Sequence, residues 1–238
     1  MNEGEKISFA VGIKALFQNK YWIIFTIVYT LIMLYASIYG GSVLYYAQYV
    51  LGNAEHQATI QNALMITQLV FLMGSFVFIK KFGKAKTFNI GVIIMLAGFA
   101  GQALLGDTAM IQIVFSAVKG IGLGIASGVT MGCIADTVEY GEWKTGIRTE
   151  GMACAAMTFA AKIGSGVGTA MVGWLLSFGK FDAKAATQIP SAILAIKGCY
   201  VYFPALFCLI MIFLMAFYDL DKRYDGIIAD LEERRANK

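Results

Sequence analysis

The chain has 238 residues, 58% of them hydrophobic and only 14% charged, with a mean hydropathy of +0.68; soluble domains carry roughly 25% charged residues. A water-soluble fold of this size has too little interior to hide so much apolar surface, which excludes an ordinary soluble enzyme or binding domain. The 26 glycines against 2 prolines favour long helices packed backbone to backbone. The net charge of +4 is spread over several connections and forms no patch of the kind a nucleic-acid partner needs.

In chain order, residues 1–19 carry Glu3, Glu5, Lys6 and Lys14. They lack the apolar core and cleavage site of a signal peptide, and read as an amphipathic segment on the membrane surface or in a cytoplasmic loop. A bilayer core takes roughly 20 apolar residues per helix. On that rule the chain divides into spans at 20–47, 60–79, 88–105, 110–135, 150–178 and 196–217. The first is long enough to need tilt, or a bend near Gly40 and Gly41. The expectation is an all-α integral membrane protein, with a six-helix transmembrane bundle over 20–217 and a charged tail over 218–238 that lies on the surface or stays mobile. His56 falls in a polar connection and reads as solvated, while Cys133, Cys154, Cys199 and Cys208 show no CxxC spacing and read as small apolar helix residues. No metal site is expected.

Basic residues sort between the two sides. Lys6, Lys14 and Lys20 precede the first span, Lys80, Lys81, Lys84 and Lys86 follow the second, Lys144 and Arg148 follow the fourth, and Lys222, Arg223, Arg234, Arg235 and Lys238 close the chain. The opposite connections offer Lys180, Lys184 and Lys197. The positive-inside rule therefore puts both termini in the cytoplasm, with the protein multi-pass in a cell membrane.

Two lysines fall inside spans, where charge is costly enough to mark function by default. Lys162 lies roughly 18 Å into its helix, too deep for easy snorkelling. Thr158, Lys162, Ser165 and Thr169 share one helical face, which is expected to line an aqueous cavity; the bland alternative pairs Lys162 with a buried carboxylate. Lys119 lies roughly 13 Å from a surface, so partial snorkelling accounts for it as well as a transport role does. Gly120, Gly124, Gly128 and Gly132 form a stripe for close helix approach, and Gly164 and Gly168 form another opposite Lys162. Tyr29, Tyr35, Tyr39, Tyr45 and Tyr46 offer rings that stack on a sugar or simply pack, with Tyr39, Tyr45 and Tyr46 the candidates for stacking. Tyr21, Trp22, Trp143 and Trp174 fit an interfacial belt. An intramembrane enzyme is not expected, since paired buried carboxylates, HExxH and GxSxG are missing from the sequence.

The connection DTVEYGEWKTGIRTEG, residues 136–151, carries Asp136, Glu139 and Glu142 at three-residue steps, then Lys144 and Arg148. On composition alone it is a cytoplasmic helix end with mixed charges, or a solvated loop. Followed by Lys162 in a Gly- and Ala-rich span, it resembles the signature of the glycoside-pentoside-hexuronide:cation symporters, also called the sodium:galactoside symporter family, which includes the melibiose, xyloside and glucuronide carriers. YYAQYVLG, KKFGKAK and the charged tail extend the resemblance over nearly the whole chain, and ISFAVGIKALFQNKYW is similar to the family's loop between its two six-helix halves.

The resemblance implies a major-facilitator-type fold, in which two six-helix bundles rock about a central cavity, and only the C-terminal half is represented here. It implies that Lys162 lies near the sugar and cation sites. Asp136, Glu139, Glu142 and Arg148 would form a cytoplasmic charge cluster that holds the outward-facing state. Na+ or H+ is the implied coupling ion, and no cofactor is implied. The implied partners are the lipid bilayer, a sugar or glycoside, and a missing N-terminal bundle supplied by the same longer chain, a second polypeptide or a second copy. The competing reading is a non-transporting membrane fragment or interaction module.

Overall fold

The computed structural model describes residues 9–185 and 187–236. Glu3, Glu5, Lys6 and Lys238, used above for the leading segment and the charge sorting, lie outside the described residues. The chain runs through α1 (Phe9–Phe17), α2 (Lys20–Tyr49), α3 (His56–Phe82), α4 (Lys84–Leu104), α5 (Ala109–Thr145), α6 (Glu150–Phe178) and α7 (Pro190–Lys197). A π turn (Gly198–Tyr202) leads into α8 (Phe203–Met215), and a short 3-10 turn (Leu220–Lys222) precedes α9 (Tyr224–Ala236). Six helical stretches among the described residues are long and apolar enough to cross a membrane: α2 to α6, and the run from Pro190 to Lys222.

Local chemistry sets the boundaries. Asn19 caps α2, its side-chain oxygen accepting from the Trp22 amide at 3.0 Å while its Nδ2 donates to the Thr137 carbonyl at 2.6 Å, which ties the start of α2 to α5. Gly83, at φ +80°, divides α3 from α4. The Asp221 carboxylate then accepts from the Ala85 amide at 2.7 Å, an anion at a helix N-terminus. Pro204 lacks the N–H that an α-helix would direct at the Tyr200 carbonyl, and the chain widens into the π turn just before it.

The structure departs from expectation in several places. α5 does not stop near residue 135 but continues to Thr145 as a 37-residue helix, because nothing breaks it before the left-handed Gly146 at φ +70°. At 1.5 Å per residue it is about 55 Å long, so its end projects beyond a hydrocarbon core of about 30 Å. The tail is not loose: α9 packs on that projecting end, with Ile227 and Leu231 buried. His56 begins α3 and does not lie in the connection. α2 runs as one α-helix through Gly40 and Gly41.

Helix pairs form the bundle. α5 packs along both α3 and α4, α2 packs along α6, and α8 joins them by contacting α4 and α2. Gly120 and Gly124 lie on α3 so closely that a Cβ would strike the Leu64 and Gln68 carbonyls, and at Gly128 it would strike the Ser75 hydroxyl. Gly132 faces the Lys84 stem. Gly122, on another side of α5, meets α4 at Gly91 and Met95. Gly164 and Gly168 place α6 against the Thr30 and Leu34 carbonyls of α2, at 2.5 and 2.7 Å from an added Cβ. Tyr21 and Trp22 are buried and so do not form an interfacial belt, Tyr21 donating to Asp219 at 2.6 Å; Trp174 is exposed.

Candidate functional site

Thr158, Lys162 and Thr169 are exposed along α6, with Ser165 half-buried between them, so the expected polar stripe lies on a surface that this bundle leaves uncovered. The Thr158 and Thr169 hydroxyls donate to the Cys154 and Ser165 carbonyls of their own helix, both at 2.9 Å. Their oxygens still have capacity to accept. Among the described residues the Lys162 ammonium makes no ion pair, so pairing with a buried carboxylate of this bundle does not explain it. Next to the stripe, Thr169 joins Ser37, Gly40, Gly41 and Tyr45 around a hollow of about 530 Å³ between α2 and α6. A second cleft, about 450 Å³, opens between α2, α3 and α5 and is lined by Tyr35, Tyr39, Gln61, Gln68 and Ser127 among apolar neighbours.

Lys119 does not snorkel. It is 0% exposed, and its ammonium donates to Gln102 Oε1 at 2.8 Å while lying 4.1, 4.6 and 4.9 Å from the ring centroids of Tyr39, Phe99 and Tyr200. Three π faces and one amide oxygen thus stand where water and a counter-ion would surround an exposed lysine. Gln102 Nε2 extends the network to Ser116 Oγ at 3.2 Å and the Tyr200 hydroxyl at 3.3 Å. Gly98 makes room for the lysine stem, since a Cβ there would meet Lys119 Cγ at 2.5 Å.

This network changes the reading of the tyrosines. Tyr46 is 1% exposed and stacks on Tyr200 at 4.1 Å, so it offers no ring face to a sugar. Tyr39 also stacks on Tyr200, at 5.2 Å, but it borders the α2–α3–α5 cleft as well. Tyr45 packs edge-on against Phe181. Gln102, Ser116 and Tyr200 were not legible as site residues: Gln102 was visible as a polar residue in an apolar span, but Tyr200 reaches Lys119 only through the fold.

At the basic end the four expected charges separate into three contacts, each made within this bundle. Asp136, 2% exposed, takes the Lys84 ammonium at 2.6 Å on both oxygens. Glu139 accepts from the Tyr224 hydroxyl. Glu142 accepts from Arg148 at 2.8 Å and from Arg235 at 2.9 Å, and Arg148 also holds Glu150 at 2.7 Å. Burial first, then the bond to Glu139, pushes the Tyr224 phenol above its ordinary range. At the opposite end Asp107 takes Lys197 at 2.5 Å and the Tyr46 hydroxyl at 2.6 Å. Partial burial alone would raise the Asp107 carboxyl, but these two donors outweigh it and hold the carboxyl below its ordinary range.

The sequence family described as MFS/sugar transport protein matches residues 2–222. The chain belongs to that family. It is 31% identical to the isoprimeverose transporter of Lactiplantibacillus pentosus over 98% of this chain and 49% of that protein. It is 25% identical to the uncharacterized symporter YjmB of Bacillus subtilis strain 168 over 97% of this chain and 50% of that one. It is 26% identical to the glucuronide carrier protein homolog of Escherichia coli K12 over 96% and 44%, respectively. The chain spans about half the length of the curated relatives it matches. As an MFS/sugar transport protein it is a multi-pass membrane protein whose six-helix bundle is one half, the C-terminal half, of a major-facilitator-type fold. The uncovered α6 face and the two clefts are then surfaces of that half.

Proposed function

We propose that this chain forms the C-terminal half of a secondary active transporter that moves a glycoside, pentoside or hexuronide together with Na+ or H+ by alternating access. The observation that carries this reading is the uncovered stripe of Thr158, Lys162 and Thr169, with Ser165 half-buried among them, beside the α2–α6 hollow, since an ammonium deep in a span with no ion pair among the described residues is too costly to leave against lipid. A second six-helix bundle would close the cavity over this stripe. The acids nearest the spans, Asp107 and Asp136, already hold Lys197 and Lys84, so the carboxylates that coordinate the coupling ion would come from that second bundle. The lysine- and arginine-rich side would face the cytoplasm of a cell membrane. There the Glu142–Arg148–Arg235 contacts would bias the equilibrium between inward- and outward-facing states without touching substrate.

The test is uptake of labelled glycosides by vesicles that carry the full-length transporter under an imposed Na+ or H+ gradient. Accumulation that collapses when an ionophore dissipates the gradient supports the reading. Equilibration that ignores both gradients removes the symport claim, and no uptake of any glycoside, pentoside or hexuronide removes the sugar.

A further inference from the structure

The stripe on α6 is not the only uncovered polar feature. At the basic end, the start of α4 and the end of α8 enclose a separate pocket of about 400 Å³, to which α6 contributes no lining residue. Its charged lining is Lys86 from α4, with Asp219, Asp221 and Lys222 from the segment after α8. Both carboxylates are already engaged. Asp219 holds the Tyr21 hydroxyl at 2.6 Å, Lys20 at 3.5 Å and Arg223 at 3.3 Å, and Asp221 accepts from the Ala85 amide at 2.7 Å. Lys86 and Lys222 are exposed and make no ion pair among the described residues. With Lys20 and Arg223 included, four cations face two carboxylates, so the balance is positive.

Two further observations bear on what fills the pocket. Asn89, one turn beyond Lys86, lines it with an amide whose Oδ1 is buried without a donor, and buried polar atoms are rarely left so. The surroundings are apolar and uncovered: Phe82 lines the pocket at 39% exposed, and Phe213 and Phe217, on and just after α8, are 63% and 57% exposed. The pocket thus lies where the apolar surface meets the basic end, the level of lipid headgroups.

We propose that this pocket binds the headgroup of an anionic phospholipid, phosphatidylglycerol, from the leaflet on the basic side. Lys86 and Lys222 take the phosphate, the glycerol hydroxyls supply the donor that the Asn89 amide lacks, and the acyl chains lie along the exposed phenylalanines. A lysine close to an anionic headgroup favours it about fivefold, so two favour it roughly 25-fold. Screening by salt reduces that to about tenfold. A free phosphate ester meets the same lysines but leaves the aromatic surface bare, and binds more weakly for that reason.

The experiment titrates the delipidated full-length transporter in detergent with dioleoylphosphatidylglycerol or dioleoylphosphatidylcholine and counts bound lipid by native mass spectrometry. The expected result is one site that prefers the phosphatidylglycerol about tenfold. Lys86→Gln/Lys222→Gln should abolish that site, and Lys80→Gln/Lys81→Gln, which removes the same charge from the same end outside the pocket, should leave it intact. All four lysines are exposed, so neither variant is expected to disturb folding. An unmodified protein without the preference overturns the inference, whether or not any variant folds. A site that survives in the pocket variant overturns it too. Equal losses in both variants would mean diffuse attraction to the whole basic end and overturn the pocket. Glycerophosphoglycerol, the headgroup without its chains, binding as tightly as the whole lipid would overturn the lipid as ligand.

Discussion

α5 and α6 have similar sequence features, each a long span with glycines at four-residue steps and one lysine in its interior, yet the bundle uses them in opposite ways. Both glycine stripes do the same work, bringing a neighbouring backbone close: α3 for Gly120 and Gly124, α2 for Gly164 and Gly168. The lysines differ. Lys119 is enclosed by three aromatic rings and Gln102, while Lys162 lies on the uncovered face with two threonines and a serine. The difference teaches that an intramembrane charge is read from what surrounds it and not from its depth. Lys119 is solvated by its own bundle, whereas Lys162 needs something outside it.

The comparison can be broken first at the glycines, where the largest effect is expected. Gly124→Leu drives a side chain into the Gln68 carbonyl and the Leu72 amide, 2.9 Å from a Cβ, and backbone cannot yield there. A loss above about 3 kcal/mol, seen as a bundle that no longer unfolds cooperatively in detergent, is expected. Gly166→Leu on α6 meets nothing within 4 Å, and its melting should be unchanged within about 0.5 kcal/mol.

A smaller contrast separates the lysines. Lys119→Ala opens a cavity and strands Gln102 Oε1, and should cost about 2–4 kcal/mol in thermal unfolding. Lys162→Ala should cost less than about 0.5 kcal/mol in the same assay. Equal costs would mean that Lys162 has a partner in this bundle after all. At the basic end of α5, Asp136→Asn leaves Lys84 without its counter-charge and should destabilise by about 2 kcal/mol, read from the same melts.

The mildest effect is expected at the opposite end. The Asp107 carboxyl is held below its ordinary range by Lys197 and Tyr46, so this contact contributes stability throughout neutral pH. That contribution disappears only as pH falls through the lowered value, below the usual carboxylate range. The carboxyl signal of 13C-labelled Asp107 should therefore titrate at lower pH than an exposed aspartate, and in Lys197→Met it should move upward.

The spans and both glycine stripes were legible because hydropathy and four-residue spacing are local properties. The α5 end was misjudged because DTVEYGEWKT is polar. Polarity marks the end of the membrane span there but not the end of the helix, which continues to the stop signal at Gly146. The surroundings of Lys119 were out of reach because Gln102, Tyr39 and Tyr200 belong to three other elements, and only packing brings them together. The packing partner of Tyr46 was out of reach for the same reason, since Tyr200 lies on the π turn that forms ahead of Pro204. Nor could the sequence show that Asp136, Glu139 and Glu142 are satisfied internally, by Lys84, Tyr224 and Arg235.

The central claim is that the exposed α6 stripe is a working wall of a transport cavity. Gradient-driven sugar uptake by the full-length transporter carrying Lys162→Ala tests it most directly, with the melting temperature measured on the same preparation. The account predicts uptake reduced by about tenfold or more, a loss of roughly 1.4 kcal/mol or greater at the site, with melting unchanged. Normal uptake would contradict it and leave Lys162 as a surface residue without a part in transport.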